Sequence, residues 1–351
     1  MNDIDLSSLT CPLPRDDAEL ITMAHGGGGR RSRELIDNLF RPAFANPWLE
    51  AQHDAAELPA IAGRLAFTAD AYIVQPLFFP GGDIGKLAVV GTLNDLAMSG
   101  GRPLYLSATF ILEEGLEVNT LRRVVNSMAT EARDAGVAIV TGDTKVVERS
   151  RGDGLYLSMS GVGRIDHPYS IVPAAVQPGD VILLSGDLGR HGMTVMAERE
   201  QLRFEQPLES DCAALVAPVL SLLEAGIEVH CLRDLTRGGL GSALVEVAGT
   251  SGLSIEIREQ SIPVCDEVAG ACELLGLDPL YVACEGRFIA IVPEKDTRQA
   301  LRILAGHPVS GAAGEIGRVT SGKPARVTMR TRLGTSRLID LLSGEQLPRI
   351  C

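Results

Sequence analysis

Two rhythms of apolar residues alternate along this chain, and together they predict its elements. Residues 64–74, RLAFTADAYIV, alternate in the way of a half-buried strand. Residues 84–99 instead carry Leu87, Val90, Leu93, Leu96 and Ala97 at helical spacing, and residues 31–44 do so through Leu35, Ile36, Leu39 and Phe40. A strand at 105–112, a helix at 119–135 with Leu121, Val124, Val125, Met128 and Ala132 inward, and strands at 138–147 and 155–163 complete the first half. Residues 166–180, with three prolines, read as a connection between domains. Beyond it the pattern predicts strands at 181–185, 229–232, 255–258, 287–292 and 326–330, with helices at 193–199, 212–225, 240–248, 264–275 and 295–305. A last helical segment is expected at 337–342, followed by a polar tail.

The alternation predicts an α/β protein, and a length of 351 residues suits two such domains better than one core. Net charge of -13 with 4% aromatic residues gives neither an electrostatic nor a stacking surface for nucleic acid. The opening MNDIDLSSLTCPLPRDD is acidic where a secretory signal is basic, and no later run is long and apolar enough to span a bilayer, so a cytoplasmic protein is expected. Seven cysteines, odd in number and without a C-x-x-C pair, point to neither a disulfide framework nor a zinc site.

Chemistry is suggested at several points. Asp70 interrupts the apolar strand at 64–74, Asn94-Asp95 interrupts the apolar helix at 84–99, and Asp143 leaves the strand at 138–147 together with Lys145. Carboxylates repeatedly placed in apolar segments require cationic partners, and three converging on one spot would need divalent cations between them, with magnesium and substrate phosphates the usual occupants. For Asn94-Asp95 a solvated helix face is an equal alternative. His25-Gly26-Gly27-Gly28-Gly29 precedes a helix and is either a phosphate-wrapping loop or a hinge. Gly186 opens a second glycine turn between a strand and a helix. Arg233, Asp234 and Arg237 cluster at another helix start, suited to an anion or to a structural ion pair. Glu285 stands at a strand entrance where a partly buried carboxylate can act as a base. The chain ends on Cys351, and a lipid-attachment box would need three further residues.

These segments, AHGGGGR at 24–30, FFPGGDIGKL at 78–87, ND at 94–95, VTGDTKVV at 140–147, RDLTRGGL at 233–240, CELLGL at 272–277 and the terminal PRIC, resemble the hydrogenase maturation factor HypE family. That family belongs to the superfamily of aminoimidazole ribonucleotide synthetase, thiamine-monophosphate kinase and selenophosphate synthetase. The resemblance implies a two-domain α/β fold of mixed sheets like that synthetase, with a flexible C-terminal tail. The expected parts are an N-terminal lead and glycine loop at 1–30, a dimerisation and ATP/magnesium domain at 31–165, a C-terminal domain at 176–330 and a mobile tail at 331–351.

The resemblance also implies the reaction. A carbamoyl group is loaded on Cys351 by the carbamoyltransferase HypF and activated by ATP. Loss of phosphate then leaves a thiocyanate, whose cyanide passes to iron on a HypC–HypD complex for nickel-iron hydrogenase. Implied roles are Cys351 as carrier, Glu285 as base and Lys145 as neutraliser of charge. His25, Gly26, Gly27, Asn94, Asp95, Asp143, Gly186, Asp234 and Arg237 would form the nucleotide site, and Asp70, Asp95 and Asp143 would bind magnesium. Cys284 and Arg287 depart from the asparagine and lysine expected around the glutamate. The alternatives are a small-molecule kinase or synthetase of the same superfamily, or a thiol carrier without catalysis.

Overall fold

A computed structural model describes residues 20–322, 325–342, 347 and 350. Its first sheet has four strands in the order Arg64–Tyr72, Leu155–Ile165, Gly101–Glu113 and Ala138–Val147, antiparallel except for the last pair. Two helices cover one face. Val118–Asp134 buries Leu121, Val124, Val125, Met128 and Ala132, the stripe its sequence predicts, and leaves its other side in water. Ile84–Met98 is started by Asp83, whose carboxylate accepts the amides of Gly85 and Lys86 at 2.7 and 3.1 Å. It is buried on nearly all sides, because the second domain packs on the side away from the sheet. The opposite face of the sheet is open and carries Leu65 and Phe67, 54% and 72% exposed.

The second sheet has seven strands in the order Ser336–Ile339, Val327–Arg330, Ser254–Arg258, Gly314–Thr320, Val181–Leu184, Phe288–Val292 and Cys231–Asp234. One neighbouring pair, Val327–Arg330 with Ser254–Arg258, is parallel and the rest are antiparallel. Phe288–Val292 is buried at every position, as expected for a central strand covered on both faces. The expected helix at 337–342 is instead the strand Ser336–Ile339. A tight turn closed by Thr331 N–H to Thr335 O at 2.8 Å folds it back on Val327–Arg330, so residues 331–339 belong to the sheet. The apolar core of the first domain continues across the joint into Val195, Cys212 and Ala283 of the second, and Ile350 packs into the same cluster at 3% exposure.

Candidate functional site

The joint between the domains holds a cavity of about 280 Å³ walled by Asp70, Asp95, Asp234, Arg233, Arg237 and Glu285. Asp70 comes from the edge strand of the first sheet, and Asp95 from the buried helix. Asp234 ends the edge strand of the second sheet, so two sheet edges and a helix converge here. Asp95 accepts a 2.6 Å hydrogen bond from Thr68 Oγ1, and its pKa is nevertheless raised by burial, with Asp70 adding repulsion. Burial in the cleft wall pushes Asp234 up to about 6, again with help from a neighbouring carboxylate, Asp95.

Glu285 is 2% exposed, and its Oε1 has no hydrogen-bond partner. Burial first, then Asp234, Asp211, Asp70 and Asp95, raise it well above the ordinary carboxylate range. The sequence-based expectation of a partly buried base thus understates its burial. A carboxyl in this setting keeps its proton over a wider pH range and, once ionised, is a stronger base than an exposed glutamate. The mutual repulsion of Asp70, Asp95 and Asp234, which Arg233 and Arg237 only partly offset, and the orphaned Glu285 oxygen fit a site that a polar ligand bringing its own positive charge would complete.

Asp143 does not join them. Its strand lies at the opposite edge of the first sheet from that of Asp70, three strand spacings or roughly 14 Å away. Among the described residues no three His, Cys, Asp or Glu side chains are grouped to hold a metal, so the expected carboxylate triad is not assembled within one chain. Asp143 instead pairs with Lys145 at 2.8 Å, which holds its carboxyl below the usual range.

Both line a second cavity of about 350 Å³, together with His25, Gly26 and the apolar side chains of Leu35, Phe40, Phe44 and Ile139. An apolar wall facing a glycine turn and a lysine suits a nucleoside with phosphates. Gly26 is needed for the close approach, since a Cβ there would lie 2.7 Å from the Val146 amide nitrogen. Gly27 follows in the same turn. Partial burial lowers the pKa of His25, whose Nδ1 contacts Thr22.

Two expected nucleotide residues have other employment. Asn94 faces the joint: its amide donates to the carbonyls of Ala213 and Glu285 at 3.2 and 3.1 Å, and its oxygen accepts the Leu215 amide at 2.8 Å. Gly186 makes room for Arg287, because a Cβ would stand 2.6 Å from its guanidinium Nε. Arg287 pairs with Asp187 at 2.7 Å and donates to the Asp187 and Gly286 carbonyls, while Cys284 is buried and its sulfur accepts the Gly189 amide at 3.1 Å. Both departures from the family pattern therefore shape the loop that carries Glu285. Cys351 lies outside the described residues.

Sequence reasoning missed three residues around this loop. Asp211 accepts from the amides of His191 and Glu285 through Oδ1, at 3.1 and 3.2 Å, and from Gly286 through Oδ2 at 3.4 Å. His191 and Ser210 hydrogen-bond to each other at 2.8 Å. All three flank a stretch without periodic pattern, so only a histidine after a glycine turn gave any signal.

The known proteins this chain resembles agree with that architecture. Residues 52–165 match the N-terminal domain, and 177–330 the C-terminal domain, of AIR synthase related proteins. The carbamoyl dehydratase HypE of Rhodobacter capsulatus is 50% identical, over 95% of this chain and 98% of its own. A crystal structure of the hydrogenase maturation protein HypE in complex with ATP is 46% identical, covers 94% of this chain and 99% of its own, and superposes with a TM-score of 0.91. In a HypE–HypF complex structure, the matching chain is 43% identical, covers 88% of this chain and 99% of its own, and has a TM-score of 0.77. With both domains matched and half of all residues shared with such a relative, the chain belongs to the HypE carbamoyl dehydratase family.

Proposed function

We infer that this protein is an ATP-dependent carbamoyl dehydratase that acts on its own C-terminal cysteine and supplies cyanide for the iron of nickel-iron hydrogenase. The carrying observation is the orphaned, buried Glu285 carboxyl beside acidic residues in a cavity at the joint where Ile350, the neighbour of Cys351, is packed. The substrate is a thiocarbamate, S–C(=O)–NH₂, on Cys351. Its carbonyl oxygen takes the terminal phosphoryl group of ATP, forming an O–P bond as ADP leaves. The C–O bond then breaks, phosphate departs, two N–H protons are lost, and C≡N remains. Glu285 is the base for nitrogen, for which a raised pKa is an asset.

Asp70 and Asp95 would hold magnesium, with Asp234 and Arg237 beside them toward phosphate; the ion supplies neutralisation of phosphate charge. His25, Gly26, Gly27, Asp143 and Lys145 would receive the nucleotide on the first domain, with Lys145 offsetting phosphate charge. Since these two groups stand apart in one chain, a homodimer is part of the reading, and the exposed Leu65 and Phe67 on the open sheet face support it. HypF is the loading partner, in keeping with the HypE–HypF complex formed by a relative, and HypC–HypD is the proposed acceptor. Among the described residues no helix is long and apolar enough to cross a membrane, and we place the protein in the cytoplasm.

Intact-mass measurement tests the reading. After incubation with HypF, carbamoyl phosphate and ATP, the chain should gain one carbamoyl group and then lose one water. A Cys351→Ala chain should do neither. Phosphate release from ATP at the wild-type rate in that variant would overturn self-modification.

A further inference from the structure

We propose that His191 seats the C-terminal segment for reaction by gripping the peptide carbonyl next to Cys351, an inference that rests on the dehydratase reading above. His191 stands in the first turn of the helix Arg190–Glu200 and has no exposed surface. Its Nε2 lies 2.8 Å from the Ile350 carbonyl oxygen and its Nδ1 2.8 Å from Ser210 Oγ. A carbonyl only accepts, so Nε2 carries the hydrogen. In a neutral ring Nδ1 is then an acceptor, and Ser210 must donate to it. Burial lowers the pKa of the ring and so favours this neutral form.

The surroundings hold the ring in that orientation. Ser210 Oγ also accepts the Cys212 amide at 3.1 Å, and the Ser210 amide donates to the Pro80 carbonyl at 3.0 Å, tying the second domain to the first. Phe79 packs edge-on against the imidazole, with centroids 5.3 Å apart at 84°. The backbone of His191 is fixed by Asp211. Donor direction is therefore set before the tail arrives.

Apolar contacts alone would leave the tail poorly registered. Ile350 packs in the first core, and Leu347 packs beside Gly192 against both that core and the cluster that contains Met193 and Val282. Such contacts are non-directional and tolerate sliding along the groove. The hydrogen bond falls on the amide that joins Ile350 to Cys351, so it fixes the position at which the reactive residue begins. One hydrogen bond contributes roughly a fivefold preference for the seated tail. That is enough to register it and small enough to let it leave for its partners.

The test uses full-length protein, carbamoylated by HypF for the water-loss assay and with the Cys351 thiol left free for the alkylation assay. His191→Phe retains a ring against Phe79 and removes the donor; His191→Gln restores a donor of similar reach. Single-turnover water loss is followed by intact mass at saturating ATP, and alkylation of Cys351 in the nucleotide-free protein by peptide mass spectrometry. In His191→Phe we expect water loss to slow about fivefold or more, KM for ATP to stay within about twofold, and Cys351 to alkylate about fivefold faster. His191→Gln should recover part of both changes. Wild-type behaviour of His191→Phe in either assay, a parallel rise in KM for ATP, or a Gln variant no better than Phe would overturn the proposal. Should the Phe variant not fold, Ser210→Ala takes its place: it frees the ring to exchange tautomers, and unchanged alkylation and water loss would equally refute the seat. If the wild type loses no water, the dehydratase reading fails, while the alkylation comparison still decides whether His191 holds the tail.

Discussion

Replacing Asn94 with alanine separates a structural clamp from a nucleotide contact. Its side chain satisfies three backbone groups of the second domain from a helix of the first, at 2.8 to 3.2 Å, and is 3% exposed. In Asn94→Ala the Leu215 amide loses its partner in a buried setting, which costs about 1–3 kcal/mol, and two carbonyls lose a bond worth about 0.5–1.5 kcal/mol each. A water entering the space left by the amide would recover part of this. The expected loss is therefore about 3 kcal/mol, or a fall in Tm of roughly 6–12 °C for a unit of this size.

The assay is urea and thermal unfolding of the nucleotide-free protein, read at the transition of the unit that contains the joint, since two domains need not melt together. Asn94→Asp provides the control. It keeps an oxygen for Leu215 but turns a donor into a carboxylate facing two carbonyl oxygens. Its folded pKa is raised, so the stability contributed by protonation is present at low pH and lost as pH rises through that value. Asn94→Asp should then be closer to wild type at pH 5 than at pH 8. A loss under 1 kcal/mol for Asn94→Ala, accompanied by weakened ATP binding, would refute the clamp and reinstate Asn94 as a ligand residue.

Two further outcomes follow from the same geometry. Asp234 rises from 3.8 to about 6 on folding, so the stability its protonated form contributes is complete below pH 3.8 and lost as pH climbs through 6. In magnesium-free buffer, Asp234→Asn should gain up to about 3 kcal/mol on the wild type at pH 7, reduced by the solvent the cavity admits, and a pH-independent difference would count against it. Phe67→Lys places a charge on the open sheet face and should convert a dimer to monomers in light scattering while leaving the thermal midpoint of each monomer within about 2 °C; an unchanged mass would refute that face as the contact.

Much of this architecture was legible because burial on one side leaves a period. The helix Val118–Asp134 has its predicted stripe, and most strands fall within a few residues of where alternation placed them; Gly314–Thr320, inside the second sheet, is missing from that pattern, and Ser336–Ile339 stands where a helix was expected. Where a second layer covers the other side, period carries less. Ile84–Met98 reads as a one-faced helix yet is buried almost throughout, so Asn94 looked like a ligand or a solvated residue when its partners are backbone groups from residues 213, 215 and 285. The segment RLIDLL has helical spacing, but a turn with Gly334 at φ 83° and an unpaired edge at Val327–Arg330 draw it into a sheet. Hairpin pairing with the neighbouring strand outweighed the helical preference of the segment. Asp70, Asp95 and Asp143 share one sequence context, an acid within an apolar run, and only strand order reveals that Asp143 lies at the far edge.

The least legible feature is the one that joins the parts. Asp211 has a side chain without exposed surface, and burying a carboxylate is costly unless hydrogen bonds replace its water. Here Oδ1 serves both the His191 and Glu285 amides, Oδ2 serves Gly286, and Arg287 stands 3.9 Å away. One carboxylate thus sets the backbone of the residue that grips Ile350 and of the proposed base. Both amides hang on one carboxylate oxygen, so a displacement of Asp211 acts on both segments at once. The helix Arg190–Glu200 adds a second tie to the same loop, the Gly192 amide donating to the Ala283 carbonyl at 3.0 Å. For the proposed seating of the tail, this shared anchor holds the donor and the base in one arrangement.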